Sequence, residues 1–266
     1  MANVTLNGVD LHYRIDGPLH APAILFSNSL GTDLHMWDAV TARMKTNWLC
    51  VRYDTRGHGK SSIPKGPYSV DVLADDASKL IDYLNLNQVH FCGLSLGGLI
   101  GQRLALTLRH RLRSMILANT SAHIPSEETW NERITSVREN GIAALSDVMM
   151  SRWFSKSFLN CDPNSYSQMK AMFERCDKTG YVSACAAVRD TDFREQLSEI
   201  KLPTLIIAGA DDVATPPSMA QALNAGIEES QLVTLAPAGH ISSIEQPNAF
   251  VDALSSFLMD VEGDAR

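Results

Sequence analysis

The chain has 266 residues, 45% of them hydrophobic and 20% charged, which is ordinary for a soluble globular protein and enough for one large domain. Its formal net charge of −7 provides no basic surface for nucleic acid or an acidic membrane. The five cysteines lack Cys-x-x-Cys spacing, and no apolar run reaches the length of a membrane span. We therefore expect a cytoplasmic protein with free thiols that binds neither nucleic acid nor membrane.

Predicted strands and helices alternate through the first 120 residues. Residues 4–15 alternate in hydrophobicity around Asn7-Gly8, which predicts an opening antiparallel hairpin. Continuous apolar runs, typical of strands buried on both faces of a parallel sheet, lie at 23–27, 48–53, 89–92 and 114–119. Helical spacing recurs over 73–84 and again after the run at 89–92. This alternation indicates an α/β fold with a mostly parallel, doubly wound sheet.

A glycine-rich turn links the strand at 89–92 to the helix that follows it. The sequence Gly93-Leu94-Ser95-Leu96-Gly97 has the form G-x-S-x-G, which between a strand and a helix is typical of a nucleophile elbow. Such a turn strains the serine backbone, and its glycines let the strand and the helix pass closely. We therefore predict that Ser95 is a nucleophile. The alternative is a serine that only caps the helix.

The segment after the strand at 114–119 has a different character. Its apolar residues recur at helical intervals, with tryptophans, methionines and arginines among them. We predict a helical cap over 122–200, inserted into an α/β core formed by 1–121 and 201–266. The later core elements are predicted as strands at 203–209 and 231–235 and a helix at 249–258.

A base and an acid follow the last two predicted strands. A serine hydroxyl needs a base within hydrogen-bond reach, and that base needs an acid to orient it. Asp211 and Asp212 follow the strand at 203–209, and His240 follows the next strand. Because the carboxyl ends of parallel strands meet at one edge of a sheet, these residues can converge on Ser95. Either aspartate could supply the orienting carboxylate.

Taken together, these features resemble the α/β-hydrolase superfamily over nearly the whole chain, in which the triad follows the chain order Ser, Asp, His. In that pattern the acid is the last residue of G-x-x-D, which favours Asp212 over Asp211. Within the superfamily, five stretches are similar to those of 3-oxoadipate enol-lactonases: 27–37, 52–61, 91–98, 130–134 and 187–190.

The resemblance implies a serine hydrolase that opens 3-oxoadipate enol-lactone to 3-oxoadipate through an acyl-enzyme, in the β-ketoadipate route of aromatic compound catabolism. Its catalytic residues would be Ser95, Asp212 and His240. The oxyanion would be held by the backbone amides of Leu96 and Leu30. Relatives carry His-Gly before the second of these amides, with a tryptophan nine residues after the histidine. Here 28–37 keeps that interval with Asn-Ser in place of His-Gly.

The lactone keeps a free carboxylate, so a buried arginine in the cap would help to bind this small anionic substrate. We predict Arg133 first and Arg189 second in this role, with Trp130 and Trp153 as apolar walls. The alternative places the arginines on a solvated helix face and the tryptophans in the core of the cap.

Other functions fit parts of the same pattern. A general carboxylesterase, a carbon–carbon bond hydrolase or a cofactor-free perhydrolase would share the triad, since fold and motif do not identify a substrate. A non-catalytic small-molecule receptor would keep the pocket and would not need an intact triad. The sequence contains no metal-ligand cluster, dinucleotide fingerprint or phosphate loop, so we expect no cofactor and no metal.

Overall fold

A computed structural model describes residues 1–264 and contains one eight-stranded sheet. Its strands are β1 (Ala2–Leu6), β2 (Val9–Asp16), β3 (Ala23–Ser27), β4 (Leu49–Tyr53), β5 (Val89–Leu94), β6 (Leu112–Ala118), β7 (Thr204–Gly209) and β8 (Ser230–Leu235). They lie in the order β1-β2-β4-β3-β5-β6-β7-β8. The pairs β1–β2 and β2–β4 are antiparallel and every later pair is parallel. The α/β fold class predicted from the sequence is confirmed.

The hairpin and the central strands form where the local sequence predicts them. Asn7 and Gly8 both have positive φ, 52° and 74°, which is the geometry of a two-residue turn between twisted strands. Every residue of β3, β4, β5 and β7 is buried, as expected for their largely apolar sequences, and the buried residues include Arg52 in β4 and His90 in β5. These strands therefore form the centre of the core.

Helices connect the strands and pack against them. They are α1 (Asp38–Met44), α2 (Val70–Tyr83), α3 (Leu96–Thr107), α4 (Glu127–Asn140), α5 (Ser146–Trp153), α6 (Lys156–Cys161), α7 (Pro163–Glu174), α8 (Lys178–Arg189), α9 (Pro217–Gly226), α10 (Ser242–Glu245) and α11 (Pro247–Asp264). Short 3-10 helices occupy Leu34–Trp37, Arg109–Arg111, Ile142–Leu145 and Arg194–Glu199. Among residues 1–264, no helix is both long and apolar enough to cross a bilayer.

The helices fall into groups that pack on different strands. Helix α3 packs on β5 and β6 and also contacts α2, whereas α11 contacts α1 and the strands β6 to β8. Helix α2 begins three residues before the predicted start at 73, because the side chain of Ser69 caps it by accepting a hydrogen bond from the amide of Val72. The start of α2 is therefore set by the capping residue Ser69 and not by the spacing of the apolar residues.

Helices α4 to α8, which we call the inserted helices, lie between β6 and β7 in the chain. Where the segment leaves and rejoins the sheet, the amide of Phe193 donates to the carbonyl of Ala122 over 2.9 Å. Helix α8 approaches the loop after β4 closely, since a Cβ at Gly180 would lie 2.0 Å from the carbonyl oxygen of Gly57. The division into a core and a cap at 122 and 200 stays a prediction.

Candidate active site

Ser95 occupies a strained turn. The strand β5 ends at the residue before it, and the helix α3 begins at the residue after it. Its φ of 56° and ψ of −111° are unusual for a residue with a side chain. A Cβ at Gly93 would lie 2.1 Å from the carbonyl oxygen of Gly97, and a Cβ at Gly97 would lie 2.2 Å from the carbonyl oxygen of Ser27. Both glycines are therefore needed for α3 to start so close to the sheet.

Asp212 and His240 come together at the carboxyl ends of β7 and β8. The Nδ1 atom of His240 lies 2.9 Å from Oδ2 of Asp212, and both side chains are buried. Burial alone raises the pKa of Asp212, but the charge of His240 and hydrogen bonds from His240, Thr215 and Asn119 bring that pKa below its usual value. Asp212 is thus held as a carboxylate beside the imidazole, while Asp211 is exposed to solvent.

Ser95 and His240 line the same cavity, which contains about 540 Å³ of space free of protein atoms, part of it open to solvent. Within residues 1–264, no hydrogen bond joins the Ser95 hydroxyl to the imidazole of His240. Catalytic hydrogen bonds are often long or poorly aligned until a substrate is present. The geometry therefore brings the predicted nucleophile and base to one site with the acid behind them.

Two backbone amides remain available at this site. The amide of Gly31 donates to Nε2 of His58 and that of Gly97 donates to the carbonyl of Asn28. By contrast, in the part of the chain that the structure describes, the amides of Leu30 and Leu96 donate to no other protein atom. Leu30 lines the cavity, and Leu96 is the first residue of α3, where the helix dipole is positive. Both positions suit an oxyanion.

The loop that carries the amide of Leu30 is held from both sides. Asn28 donates through Nδ2 to the carbonyl of Tyr53, and its Oδ1 accepts from Nε1 of Trp37 over 3.0 Å. The nine-residue interval from 28 to 37 is explained by this second bond. His58 is buried, and burial lowers its pKa, so that its neutral ring can accept from the loop amide. His58 therefore supports the loop.

One buried carboxylate determines the shape of the loop after β4. Asp54 accepts from the amides of Leu34 and Lys60, over 2.7 and 2.9 Å. A Cβ at Gly59 would lie 2.3 Å from this carboxylate. Burial raises the pKa of Asp54 to about 6. Asp54 thus joins the loop after β4 to the loop after β3.

The inserted helices α4 and α5 form one wall of the cavity. From α4 come Trp130 and Arg133, and from α5 come Met149, Arg152 and Trp153. The spacings i, i+3 and i+4 put each set on one face of its helix. The guanidinium of Arg133 stacks on the Trp130 ring, 4.4 Å from its centroid. Three of the four predicted substrate-binding residues therefore reach the cavity.

The fourth, Arg189, does not, and this corrects the expectation. Its side chain lies in a surface groove between α4 and α8, where it bonds to the carboxylate of Asp190 and to Oδ1 of Asn131. Arg189 belongs to the last turn of α8, and the rotation of that helix determines which way the side chain points. The sequence analysis did not predict Arg152 as a cavity residue. It lies three residues after Met149, a spacing that puts the two side chains on the same face of α5.

Sequence reasoning also missed two polar residues that support the histidine loop. Asn119, the residue after β6, donates from Nδ2 to Asp212 Oδ2 over 3.0 Å and to the carbonyl of Gly239 over 3.1 Å. The buried carboxylate of Glu245 accepts from the amide of Gly239 over 2.9 Å, and from the amide and hydroxyl of Ser155. Because Asn119 bonds to Asp212 and Glu245 bonds to Ser155 across 90 or more residues, no local pattern marks these two residues.

The same loop is bonded to the end of α5. The amide of Ile241 donates to the carbonyl of Trp153 over 3.0 Å. A Cβ at Gly239 would lie 2.7 Å from that carbonyl oxygen, so only glycine fits there.

Among residues 1–264, no group of three or more His, Cys, Asp or Glu side chains is arranged to hold a metal ion.

Comparison with known proteins gives matches along almost the whole chain. The alpha/beta hydrolase family matches residues 22–253. The 3-oxoadipate enol-lactonase 2 of Acinetobacter baylyi is 40% identical over 255 residues, which cover 96% of this chain and 95% of that protein. The crystal structure of the enol-lactonase from Burkholderia xenovorans LB400 matches with a TM-score of 0.95 and 41% identity, covering 97% of this chain and 100% of that chain. A thermophilic esterase from Thermogutta terrifontis matches with a TM-score of 0.92 and 25% identity, covering 98% of each chain.

Proposed function

Because the chain belongs to the alpha/beta hydrolase family, we propose that it opens 3-oxoadipate enol-lactone to 3-oxoadipate. The relatives that are about 40% identical support an ester-bond hydrolase, and the lactone is the substrate that their names give. The observation that carries the proposal is the buried pair of Asp212 and His240 beside a cavity that also contains Ser95. The pathway would be the β-ketoadipate route of aromatic compound catabolism.

In the first half of the reaction, the Ser95 hydroxyl attacks the lactone carbonyl carbon and His240 accepts its proton. The tetrahedral oxyanion is stabilised by the amides of Leu30 and Leu96. When the intermediate collapses, the ring C–O bond breaks and the electron pair leaves with the enol oxygen. An enolate is a better leaving group than an ordinary alkoxide, and the proton on His240 neutralises it. The enol then tautomerises to the ketone.

In the second half, His240 takes a proton from water, and the resulting hydroxide attacks the acyl-enzyme carbonyl. When this second tetrahedral intermediate collapses, its bond to the Ser95 oxygen breaks and that oxygen takes back the proton from His240. The carboxylic acid that is released loses its own proton to solvent and becomes a carboxylate. Asp212 fixes the imidazole tautomer, with its proton on Nδ1, and stabilises the imidazolium that forms in each half. No step requires a cofactor or a metal.

The substrate carboxylate is proposed to bind Arg133 between the walls formed by Trp130 and Trp153. Arg133 is pre-oriented by stacking on the Trp130 ring, and a planar guanidinium can bind a carboxylate through two hydrogen bonds. In the part of the chain described by the structure, no Asp or Glu side chain lines this cavity to compete for Arg133. The surface residue Arg189 is no longer a candidate for this role.

The decisive experiment is hydrolysis of the enol-lactone by the purified enzyme, compared with Ser95→Ala. We expect rapid turnover by the wild-type enzyme and a loss of several orders of magnitude in the variant. A panel of simple esters and ring-cleavage products tests the carboxylesterase and carbon–carbon hydrolase alternatives. Near-normal turnover in Ser95→Ala would refute the mechanism. Failure of a fluorophosphonate to label Ser95 would favour a non-catalytic receptor.

The role of Arg133 is tested with two substrates and a matched control. We expect Arg133→Gln to raise KM for the anionic lactone by more than it raises KM for a neutral ester. The control Arg189→Gln, also on an inserted helix, should leave both KM values unchanged. Equal effects of Arg133→Gln on the two substrates would remove Arg133 from the carboxylate site.

We also propose a cytoplasmic location. All five cysteines are free thiols and four of them are buried, which suits a reducing compartment. Fractionation of cells that express the protein tests this, and recovery outside the cytoplasm would contradict it.

A further inference from the structure

The charge inside the cavity is one-sided. Its charged or titratable lining residues are Arg133, Arg152 and His240, and among residues 1–264 no carboxylate lies within ion-pair distance of either arginine. Elsewhere in the described part of this acidic protein, eight arginines form ion pairs with Asp or Glu: Arg14, Arg52, Arg56, Arg103, Arg111, Arg113, Arg189 and Arg194. Within the described residues, the cavity therefore holds two cationic side chains that form no ion pair with a carboxylate.

Of the two arginines, Arg152 has the environment that more clearly favours an anionic ligand. Its Nε atom is buried and, within the part of the chain that the structure describes, has no hydrogen-bond partner. Burial lowers the pKa of Arg152, and the nearby positive charge of Arg133 lowers it further. A buried donor without an acceptor and two cations that repel each other both favour binding of an anion.

Arg152 is close to the catalytic centre as well as to Arg133. It precedes Trp153, whose carbonyl accepts the amide of Ile241, the residue after His240. The carboxylate of Asp212 is near enough for its charge to raise the pKa of Arg152, in opposition to the effect of Arg133. Arg152 therefore lines the same cavity as His240 and as the arginine that is proposed to hold the substrate carboxylate.

We propose that Arg152 and Arg133 together form a dicarboxylate site, in which Arg152 binds the second carboxylate of a linear six-carbon diacid. This inference rests on the proposed function, because hydrolysis of the lactone turns a ligand with one carboxylate into a product with two. The lactone engages Arg133 alone. The product engages both arginines, so that it inhibits the enzyme competitively and its affinity depends on Arg152.

The test measures binding directly, without turnover. The dissociation constants of adipate and hexanoate, a dicarboxylate and a monocarboxylate of equal length, are determined by calorimetry at constant ionic strength for the wild-type protein and for Arg152→Gln. We expect wild type to bind adipate at least about tenfold more tightly than hexanoate, because hydrogen bonds between charged groups contribute this much or more. Arg152→Gln should lose most of this preference and change hexanoate binding by less than about threefold.

Two further variants make the result specific. Arg152→Lys keeps the charge and should retain part of the preference for adipate, which separates loss of charge from loss of packing. Arg189→Gln, far from the cavity, should bind both ligands like wild type. Equal affinity of the wild-type protein for the two ligands, no measurable binding of adipate, or equal losses for both ligands in Arg152→Gln would each overturn the dicarboxylate site.

The outcome is independent of the enol-lactone assay. If adipate shows no preference while the lactone is hydrolysed rapidly, the dicarboxylate site is wrong and the proposed function stands. If adipate binds as expected and the lactone is not hydrolysed, the proposed substrate is wrong and the diacid site remains.

Discussion

Replacing Asp212 by Asn tests the core of the proposed mechanism. The carboxylate accepts five hydrogen bonds: Oδ1 accepts the amides of Ala214 and Thr215, and Oδ2 accepts Asn119 Nδ2, the Thr215 hydroxyl and His240 Nδ1. An asparagine can keep its oxygen toward the two backbone amides only by turning its NH₂ group toward the other three. The imidazole of His240 must then carry its proton on Nε2 to accept at Nδ1.

A histidine in that tautomer cannot take the proton of the Ser95 hydroxyl. Loss of the correct tautomer in a Ser-His-Asp triad lowers kcat by about 10⁴-fold, which is about 5 kcal/mol in the activation barrier. Stability should fall less, by about 1–3 kcal/mol, since the buried amide of Asn119 loses its acceptor. We therefore expect Asp212→Asn to be folded at 25 °C and nearly inactive.

The assay is kcat and KM for the enol-lactone, together with thermal unfolding followed by circular dichroism. The matched control is Asp211→Asn, because that neighbouring carboxylate is exposed and should change stability by no more than about 0.5 kcal/mol and leave kcat unchanged. A fall of less than about tenfold in Asp212→Asn would refute the reasoning. So would an equal fall in the Asp211→Asn control.

Asp212→Asn should also change how the free energy of unfolding depends on pH in acid solution. The pKa of Asp212 is lower in the folded protein than the usual value of 3.8. Its contribution to stability is therefore present above pH 3.8 and is lost as the pH falls through the folded-state pKa. The free energy of unfolding should decline less steeply below pH 3.8 in Asp212→Asn than in wild type. The free energy of unfolding is measured by urea titration at a series of pH values. An equally steep decline below pH 3.8 in the two proteins would contradict this expectation.

Two further substitutions test the packing around the site. Gly97→Ala should destabilise the protein by about 1–3 kcal/mol and lower kcat, because its Cβ would lie 2.2 Å from the Ser27 carbonyl oxygen; Gly263→Ala, with open space around it, should not lower the melting temperature. Glu245→Gln turns an NH₂ group toward donors that include the Gly239 amide, so we expect kcat to fall more than KM rises and stability to drop by about 1–3 kcal/mol. A Glu245→Gln enzyme with wild-type kcat would show that this carboxylate does not position the histidine loop.

Much of the fold could be predicted because its signals are local. The strand β3 has the bounds that were predicted from its apolar run, 23–27, and the turn at Asn7-Gly8 needs only the ability of these residues to adopt positive φ. The elbow at Ser95 was equally visible, since two glycines at fixed offsets are required wherever a helix starts against a sheet. These features depend on neighbours in sequence.

The cavity wall could be predicted only in part, because it depends on how helices rotate against the core. Arg133 and Arg189 both lie on inserted helices, yet the first lines the cavity and the second bonds to Asp190 at the surface. Apolar periodicity indicates that a helix has a buried face and does not indicate which polar residue borders it. Arg152 was overlooked for the same reason, although it is adjacent to Trp153.

The bonds between the end of α5 and the histidine loop have a consequence for engineering this enzyme. Residues 153–155 and 239–245 meet through two backbone amides, one carboxylate and a glycine that leaves no room for a methyl group. A chimera that grafts the inserted helices of a relative onto this sheet must therefore exchange both segments as one unit. Substrate range and the alignment of the general base would otherwise be altered together, and selection on one would be confounded by damage to the other.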